Sequence, residues 1–258
     1  MRGFRTFLGV DLGGGKGKNT AVARLRLSDA ETGGVEVVDY GTGKEAPWYD
    51  DRLIAYLQEH AADAVVAIDA PLSMPSCIRM DQCETPIVAW FRERENGSRV
   101  AGKKPKYTPY TQRASEVILH EDYQILPRET LGQGMGPLAA RGVYLSRALA
   151  PTHRINENLI EVYPKATVTQ LCSPETARRY KRSAESPSVR LEILNSLGDL
   201  RFAPGAWRED ALANDHKFDA IMCAYTAYLW TRGACEQPKN QLVLDDGWIW
   251  FPTKALSP

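Results

Sequence analysis

The stretch Phe7-Leu8-Gly9-Val10-Asp11-Leu12-Gly13-Gly14-Gly15 decides the fold, because it joins an apolar run to an abrupt end at a carboxylate. A short apolar run followed by glycines predicts a buried β-strand and then a turn. Asp11 closes that run, at a place where an unpaired charge is costly. The carboxylate is therefore predicted either to make the turn or to belong to a site that shares the cost of its charge.

Two more strands, a helix and a fourth strand are predicted after this opening. The segments are short, rich in Val, Leu and Tyr, and separated by glycine-rich breaks. We predict strands at residues 5–11, 20–27 and 35–40, a helix at 50–61 and a buried strand at 64–68. The second strand alternates apolar and charged residues, which is typical of an antiparallel strand with one exposed face. The predicted order is therefore β-β-β-α-β.

The remainder of the chain is predicted to be largely helical. Helical spacing of apolar residues predicts helices at 137–149, 174–182, 188–197 and 215–231. Buried or short strands are predicted at 158–163, 241–244 and 248–251. The length of 258 residues fits one mixed α/β domain over residues 1–258, with a less regular, mostly helical insertion at about 72–130.

Three further acids stand at places like that of Asp11. Asp69 ends the apolar run that begins at Val65, Glu161 lies inside the run Leu159–Val162, and Asp219 lies near the start of the last long helix. If strand ends converge, these acids can hold a divalent cation, and ligands that are all oxygen suit Mg²⁺ or Mn²⁺. Asp215 is a weaker fifth candidate, because it is equally well placed to cap the helix.

The predicted strand order brings these acids together. The first and fourth strands would be neighbours in a mixed sheet with helices on both faces, so Asp11 and Asp69 would meet. The helix at 215–231 would pack across the sheet and deliver Asp219, and the small Ala220 would let it come close. In a two-metal nuclease, paired ions about 3.5–4 Å apart activate water and stabilise the leaving oxygen.

Four motifs resemble, in order, those of the DUF429 family, whose members are predicted nucleases of the ribonuclease H fold. They are Gly9-Val-Asp11-Leu-Gly13, Ile68-Asp69-Ala-Pro71-Leu, Ile160-Glu161-Val-Tyr163-Pro164 and His216-Lys-Phe-Asp219-Ala220. The last motif is also similar to the final motif of RuvC-type nucleases. The resemblance runs from residue 7 to about 252. It implies a ribonuclease H-like sheet whose first three strands are antiparallel. From their positions, Asp11, Asp69, Glu161 and Asp219 are predicted to hold metal and to be catalytic.

Composition limits the classes of protein that the chain fits. Lys and Arg total 32 and Asp and Glu total 32, so contact with nucleic acid would depend on local patches. The five cysteines are widely spaced without a C-x-x-C pair, which argues against a disulfide framework and a zinc site. No targeting segment or membrane span is recognisable, and we expect a soluble cytoplasmic protein.

One local patch is the segment 99–113, which contains five basic residues, no acid, and the two aromatic residues Tyr107 and Tyr110. Cations neutralise phosphates and aromatic rings stack on bases, although a solvated loop explains the same composition. Arg128 is a further candidate outside this segment. The residues predicted to contact nucleic acid are Arg79, Lys103, Lys104, Lys106, Arg113, Arg141, Lys165 and His216.

The glycine loop after Asp11 leaves a second enzymatic function open. Residues 13–20 fail the Walker pattern, yet Asp-x-Gly followed by a Thr in the next strand resembles the phosphate loop of the actin and sugar-kinase ATPases. An ATP-dependent phosphotransferase is therefore the alternative to a metal-dependent nuclease. A non-catalytic nucleic-acid-binding protein is the third hypothesis.

Overall fold

A seven-stranded sheet forms the centre of the protein in the computed structural model. The structure describes residues 3–14, 19–28, 34–42, 46–80, 85–95, 105–181, 183–206 and 208–254. The strands are β1 (Thr6–Asp11), β2 (Ala21–Leu27), β3 (Val35–Gly41), β4 (Ala64–Asp69), β5 (Leu159–Val162), β6 (Leu200–Phe202) and β7 (Ile249–Trp250). Their order across the sheet is β6-β3-β2-β1-β4-β5-β7.

Strand pairing confirms the predicted ribonuclease H-like sheet. Strand β2 pairs antiparallel with both β1 and β3, whereas β1 and β4, β4 and β5, β5 and β7, and β3 and β6 run parallel. Parallel strands end at the same edge of a sheet. The register places Asp11 directly beside Asp69, and Ile68 beside Glu161.

Helices cover both faces of the sheet, as predicted. They are α1 (Asp50–Glu59), α2 (Ser76–Arg79), α3 (Pro86–Glu95), α4 (Ala114–Tyr123), α5 (Gly136–Leu149), α6 (Pro164–Leu171), α7 (Pro174–Arg179), α8 (Ser186–Ser196), α9 (Arg208–Ala213), α10 (Asp215–Thr231) and α11 (Gln241–Gly247). On one face, α1 and α5 pack with Leu8 and Val10, and on the other α10 packs with Phe7 and Ala23. Helices α2, α3 and α4 make up the predicted helical middle. Within the described ranges, no helix has the length and apolar content needed to cross a bilayer.

Helix α10 lies directly on the backbone of β1. A Cβ atom built on Gly9 would lie 2.0 Å from the carbonyl oxygen of Ala220 and 2.4 Å from the backbone nitrogen of Ala224. The prediction that Asp215 caps this helix is wrong, because Asn214 is the N-cap and its side chain accepts a hydrogen bond from the backbone N–H of Lys217 at 3.1 Å.

Residues 241–244, predicted as a strand, begin α11 instead. The Asn240 side chain caps this helix by accepting a hydrogen bond from the backbone N–H of Val243 at 3.0 Å. Near the end of α11, the buried Asp246 accepts from the backbone N–H groups of Ser76 at 2.8 Å and Ala114 at 2.7 Å. Asp246 therefore ties the starts of α2 and α4 to the C-terminal part of the chain.

Candidate metal centre

Three carboxylates converge at the edge of the sheet where β1 and β4 end. Oxygen atoms of Asp11, Asp69 and Asp219 all lie within 4.8 Å of one another. Asp11 and Asp69 stand at the ends of adjacent parallel strands, and α10 carries Asp219 across them. Asp219 is fully buried, while the other two are partly exposed. We call these three residues the carboxylate cluster.

Charge within the carboxylate cluster is destabilising in the absence of a cation. Burial raises the pKa of Asp69 well above its ordinary value, and the charges of Asp11 and Asp219 raise it further. Burial also raises the pKa of Asp219 to about 7, although the ammonium group of Lys181 opposes this rise. A positive ion at the cluster would remove both penalties.

The carboxylate cluster fits a hard divalent cation. Among the described residues, Asp219 Oδ1 is buried without a hydrogen-bond partner, which is an unfavourable state for a carboxylate oxygen. The donor atoms of all three residues are oxygens, the ligands that Mg²⁺ and Mn²⁺ prefer. Asp11, Asp69 and Asp219 could therefore hold such an ion between them.

Lys181 contacts the carboxylate cluster, although the sequence analysis did not select it. Its Nζ forms an ion pair with Asp219 Oδ2. Burial lowers the pKa of Lys181, but the negative charge of Asp219 outweighs that effect and raises the pKa above its ordinary value. The signal in the sequence is the basic run at residues 178–182, but the run does not show which of its members faces the sheet.

His216 is hydrogen-bonded to the cluster from the first turn of α10. Its Nδ1 lies 2.6 Å from Asp11 Oδ2. This bond raises the pKa of His216 above its ordinary value, although burial opposes the shift. The contact fixes the orientation of the Asp11 carboxylate, as a hydrogen-bonded partner does for many metal ligands.

Glu161 does not join the cluster, contrary to its predicted role as a metal ligand and catalytic residue. Arg113 binds both of its carboxylate oxygens, with Nη1 donating to Oε2 at 2.7 Å and Nη2 donating to Oε1 at 2.5 Å. The backbone N–H of Leu72 also donates to Oε2 at 2.9 Å. Glu161 is thus satisfied within the protein, as a buried carboxylate must be.

Arg113 is correspondingly unavailable to nucleic acid, and that prediction is wrong. Its side chain is 1% exposed, and besides Glu161 it binds Glu116, with Nε donating to Oε1 at 2.9 Å. Glu116 accepts a further hydrogen bond from the backbone N–H of Thr130 at 3.1 Å. This buried network joins the start of α4 to β5, beside the carboxylate cluster.

Arg141 is also buried, and its predicted contact with nucleic acid is wrong for the same reason. Its Nε donates to Asp50 Oδ1 at 2.8 Å, and its Nη1 donates to the carbonyl oxygen of Gly13 at 2.6 Å and to Thr20 Oγ1 at 2.9 Å. Gly13 and Thr20 flank the loop that follows Asp11. Arg141 therefore holds the two ends of that loop together.

The remaining residues that were predicted to contact nucleic acid or metal either do not belong to the three converging acids or lie outside the described residues. Lys106 is exposed and pairs with Glu121 at 2.9 Å, and Arg79 donates to the backbone of α11 at Asp245 O, 2.5 Å away. Lys103 and Lys104 lie outside the described residues. Asp215, predicted as a fifth metal ligand, is the first residue of α10 and is not one of the three converging acids.

A cavity of about 710 Å³ opens beside the carboxylate cluster. Asp11, Asp69 and Glu161 line it, together with Lys165, one of the residues predicted to contact nucleic acid. The other basic residues that line it are Arg128, Arg178, Arg179 and Lys181, besides Arg113, whose charge is already paired with Glu116 and Glu161. The cavity thus places basic side chains around a centre suited to a cation, a combination that suits a phosphate-bearing ligand.

The chain matches the model of a known family. The model of the family described as "Protein of unknown function (DUF429)" matches residues 9–242, nearly the whole chain. No curated protein and no solved structure matches the chain.

Proposed function

The chain belongs to the DUF429 family of proteins of unknown function, and we propose that it is a divalent-metal-dependent nuclease that hydrolyses phosphodiester bonds of nucleic acid. The observation that carries this proposal is the convergence of Asp11, Asp69 and Asp219. The adjoining cavity supports it, because its basic residues suit the phosphates of the same substrate.

Each residue near the cluster has a distinct part in this proposal. Asp11, Asp69 and Asp219 would hold Mg²⁺ or Mn²⁺, which supplies positive charge to a phosphate oxygen and activates water for attack. His216 keeps the Asp11 carboxylate in place through its 2.6 Å hydrogen bond. Lys181 offsets part of the negative charge of the cluster and lines the cavity that the phosphate would enter.

The proposal is tested by incubating the protein with labelled single-stranded and double-stranded DNA and RNA. We expect cleavage in Mn²⁺ or Mg²⁺ and none in EDTA. Binding of nucleic acid without cleavage under any of these conditions would favour the non-catalytic alternative.

The ATP-dependent phosphotransferase alternative lacks comparable support. A phosphate loop offers free backbone N–H groups to the nucleotide. Here the N–H of Gly13 donates to Thr20 Oγ1 at 3.1 Å, and the Gly13 carbonyl accepts from Arg141. We therefore expect no saturable ATP binding by calorimetry in the presence of Mg²⁺. Tight ATP binding without cleavage of any nucleic acid would favour the phosphotransferase over the nuclease.

Metal binding should stabilise the folded protein measurably. An ion that binds only the folded state at 100 times its Kd adds about 2.7 kcal/mol to the free energy of unfolding. For a chain of this size each kcal/mol corresponds to roughly 2–4 °C in Tm. We expect Mn²⁺ to raise the Tm of the wild-type protein by several degrees and to have little effect on Asp11→Asn, as measured by differential scanning calorimetry.

The matched control for this measurement is Asp51→Asn, which removes an exposed carboxylate from the first turn of α1, outside the carboxylate cluster. This variant should keep the full response to Mn²⁺. If Asp11→Asn responds to Mn²⁺ as strongly as Asp51→Asn does, the ion binds elsewhere on the protein.

A further inference from the structure

We propose that the substrate is single-stranded nucleic acid and that the cavity beside the carboxylate cluster takes one unpaired nucleotide of the strand. This rests on the proposed nuclease function and specifies its substrate class. Three features carry it: the size of the cavity, its apolar wall, and cations that separate segments contribute and that form no ion pair within the described residues.

The size of the cavity suits one nucleotide and not a double helix. At about 710 Å³ it lies within the range of about 300–1,000 Å³ typical of sites that enclose a single small ligand. Asp11 and Asp69 form part of its lining, so a group enclosed there is next to the proposed metal site. A base that is paired and stacked in a duplex must leave the stack to enter a concave site, which costs its pairing and stacking energy.

One part of the lining is apolar. Leu126, Pro127, Met135 and Leu138 come from the segment between α4 and α5 and from the first turn of α5. Leu126 is 64% exposed, which is unusual for a large aliphatic side chain and leaves it free to contact a ligand. Tyr163 also lines the cavity from the end of β5. Apolar and aromatic surfaces are what a nucleobase needs in order to leave its stack.

Three of the basic residues that line the cavity have no ion-pair partner among the residues that the structure describes. Within the part of the chain that the structure describes, Arg128, Lys165 and Arg178 form no ion pair, whereas Arg179 pairs with Glu185 at 2.5 Å and Lys181 with Asp219. Unpaired cations around a pocket are available to phosphates.

These three cations come from different parts of the chain. Arg128 lies between α4 and α5, Lys165 is in the first turn of α6, and Arg178 is near the end of α7. Charges from separate segments suit successive phosphates of a strand better than the single phosphate group of a mononucleotide. The cavity would thus hold one nucleotide while its neighbours along the strand are held by these side chains.

Fluorescence anisotropy tests the proposal without relying on catalysis. A labelled oligonucleotide is titrated with protein in EDTA, once as a single strand and once annealed into a blunt duplex of the same length. We expect the wild-type protein to bind the single strand about tenfold or more tightly than the duplex, since each 1.4 kcal/mol of unstacking cost is tenfold. An unlabelled mononucleotide should compete far more weakly than the unlabelled strand.

Variants locate the binding in the cavity. Arg128→Ala combined with Lys165→Ala should weaken single-strand binding about tenfold and lessen its dependence on salt. Leu126→Ala should weaken single-strand binding about threefold, with little change for the duplex. The matched control is Arg201→Ala, which removes an exposed arginine from β6 at the far edge of the sheet and should bind like wild type.

Equal affinity for duplex and single strand, equal competition by the mononucleotide, or wild-type binding by the Arg128→Ala/Lys165→Ala variant would each overturn the proposal. These outcomes are separable from the fate of the nuclease function. Cleavage that requires Mn²⁺ but is equally fast on single strands and duplexes would support the nuclease function and contradict the preference for single strands. Selective binding of single strands without cleavage in any metal would support single-strand recognition by the cavity and contradict the nuclease function.

Discussion

Asp69→Asn should abolish metal-dependent cleavage of nucleic acid while leaving the protein folded. Asp69 is one of the three converging acids, and its loss removes a charged ligand at the point where the phosphate would be attacked. We expect cleavage in Mn²⁺ to fall by at least roughly 10²–10³-fold, the scale for losing one group that stabilises transition-state charge. The measurement is the initial rate of cleavage of a labelled oligonucleotide.

Stability distinguishes this loss from unfolding. Two like charges about 4 Å apart repel by about 1–4 kcal/mol, depending on the effective dielectric constant. Burial and the charges of Asp11 and Asp219 raise the pKa of Asp69, so replacing it with a neutral amide should keep or raise the Tm of the metal-free protein.

Asp219→Asn should also be inactive, and Asp51→Asn, whose carboxylate does not belong to the cluster, should cleave like wild type. If Asp69→Asn cleaves in Mn²⁺ at nearly the wild-type rate, the carboxylate cluster does not take part in catalysis.

Gly9→Ala should destabilise the protein and disrupt the candidate metal centre together. The added Cβ would lie 2.0 Å from the carbonyl oxygen of Ala220 and 2.4 Å from the backbone nitrogen of Ala224, so α10 must move away from β1. Overpacking of this kind costs about 1–3 kcal/mol or more, and here the clash is with backbone atoms that cannot rotate away. Because α10 carries Asp219, the shift should also weaken the stabilisation by Mn²⁺.

The matched control for Gly9→Ala is Gly41→Ala, at the end of β3. A Cβ atom built there meets no atom within 4 Å, so this variant should unfold close to the wild-type temperature. Calorimetry with and without Mn²⁺ gives both readouts. A Gly9→Ala protein with the Tm of Gly41→Ala and the full response to Mn²⁺ would show that α10 does not depend on this contact.

The sequence alone determined the sheet and the position of its acids. Apolar runs and glycine breaks are local signals, and they predict β1 to β4 to within a residue or two of where the structure has them. Parallel pairing of the first and fourth strands then sets Asp11 beside Asp69. The long apolar face of α10 predicts the helix that carries Asp219, because helical periodicity is also a local property.

Only the tertiary structure decided which of the charged residues selected from the sequence are available to bind metal or nucleic acid. Glu161 and Arg113 each looked like a functional residue from its own segment, but they neutralise one another across 48 positions of sequence. In the sequence Lys181 is one of several basic residues in a row, and only the fold shows that it pairs with Asp219. A residue's type and local pattern show what it can bind, but its partner comes from a remote segment, and burial makes that pairing obligatory for a charge.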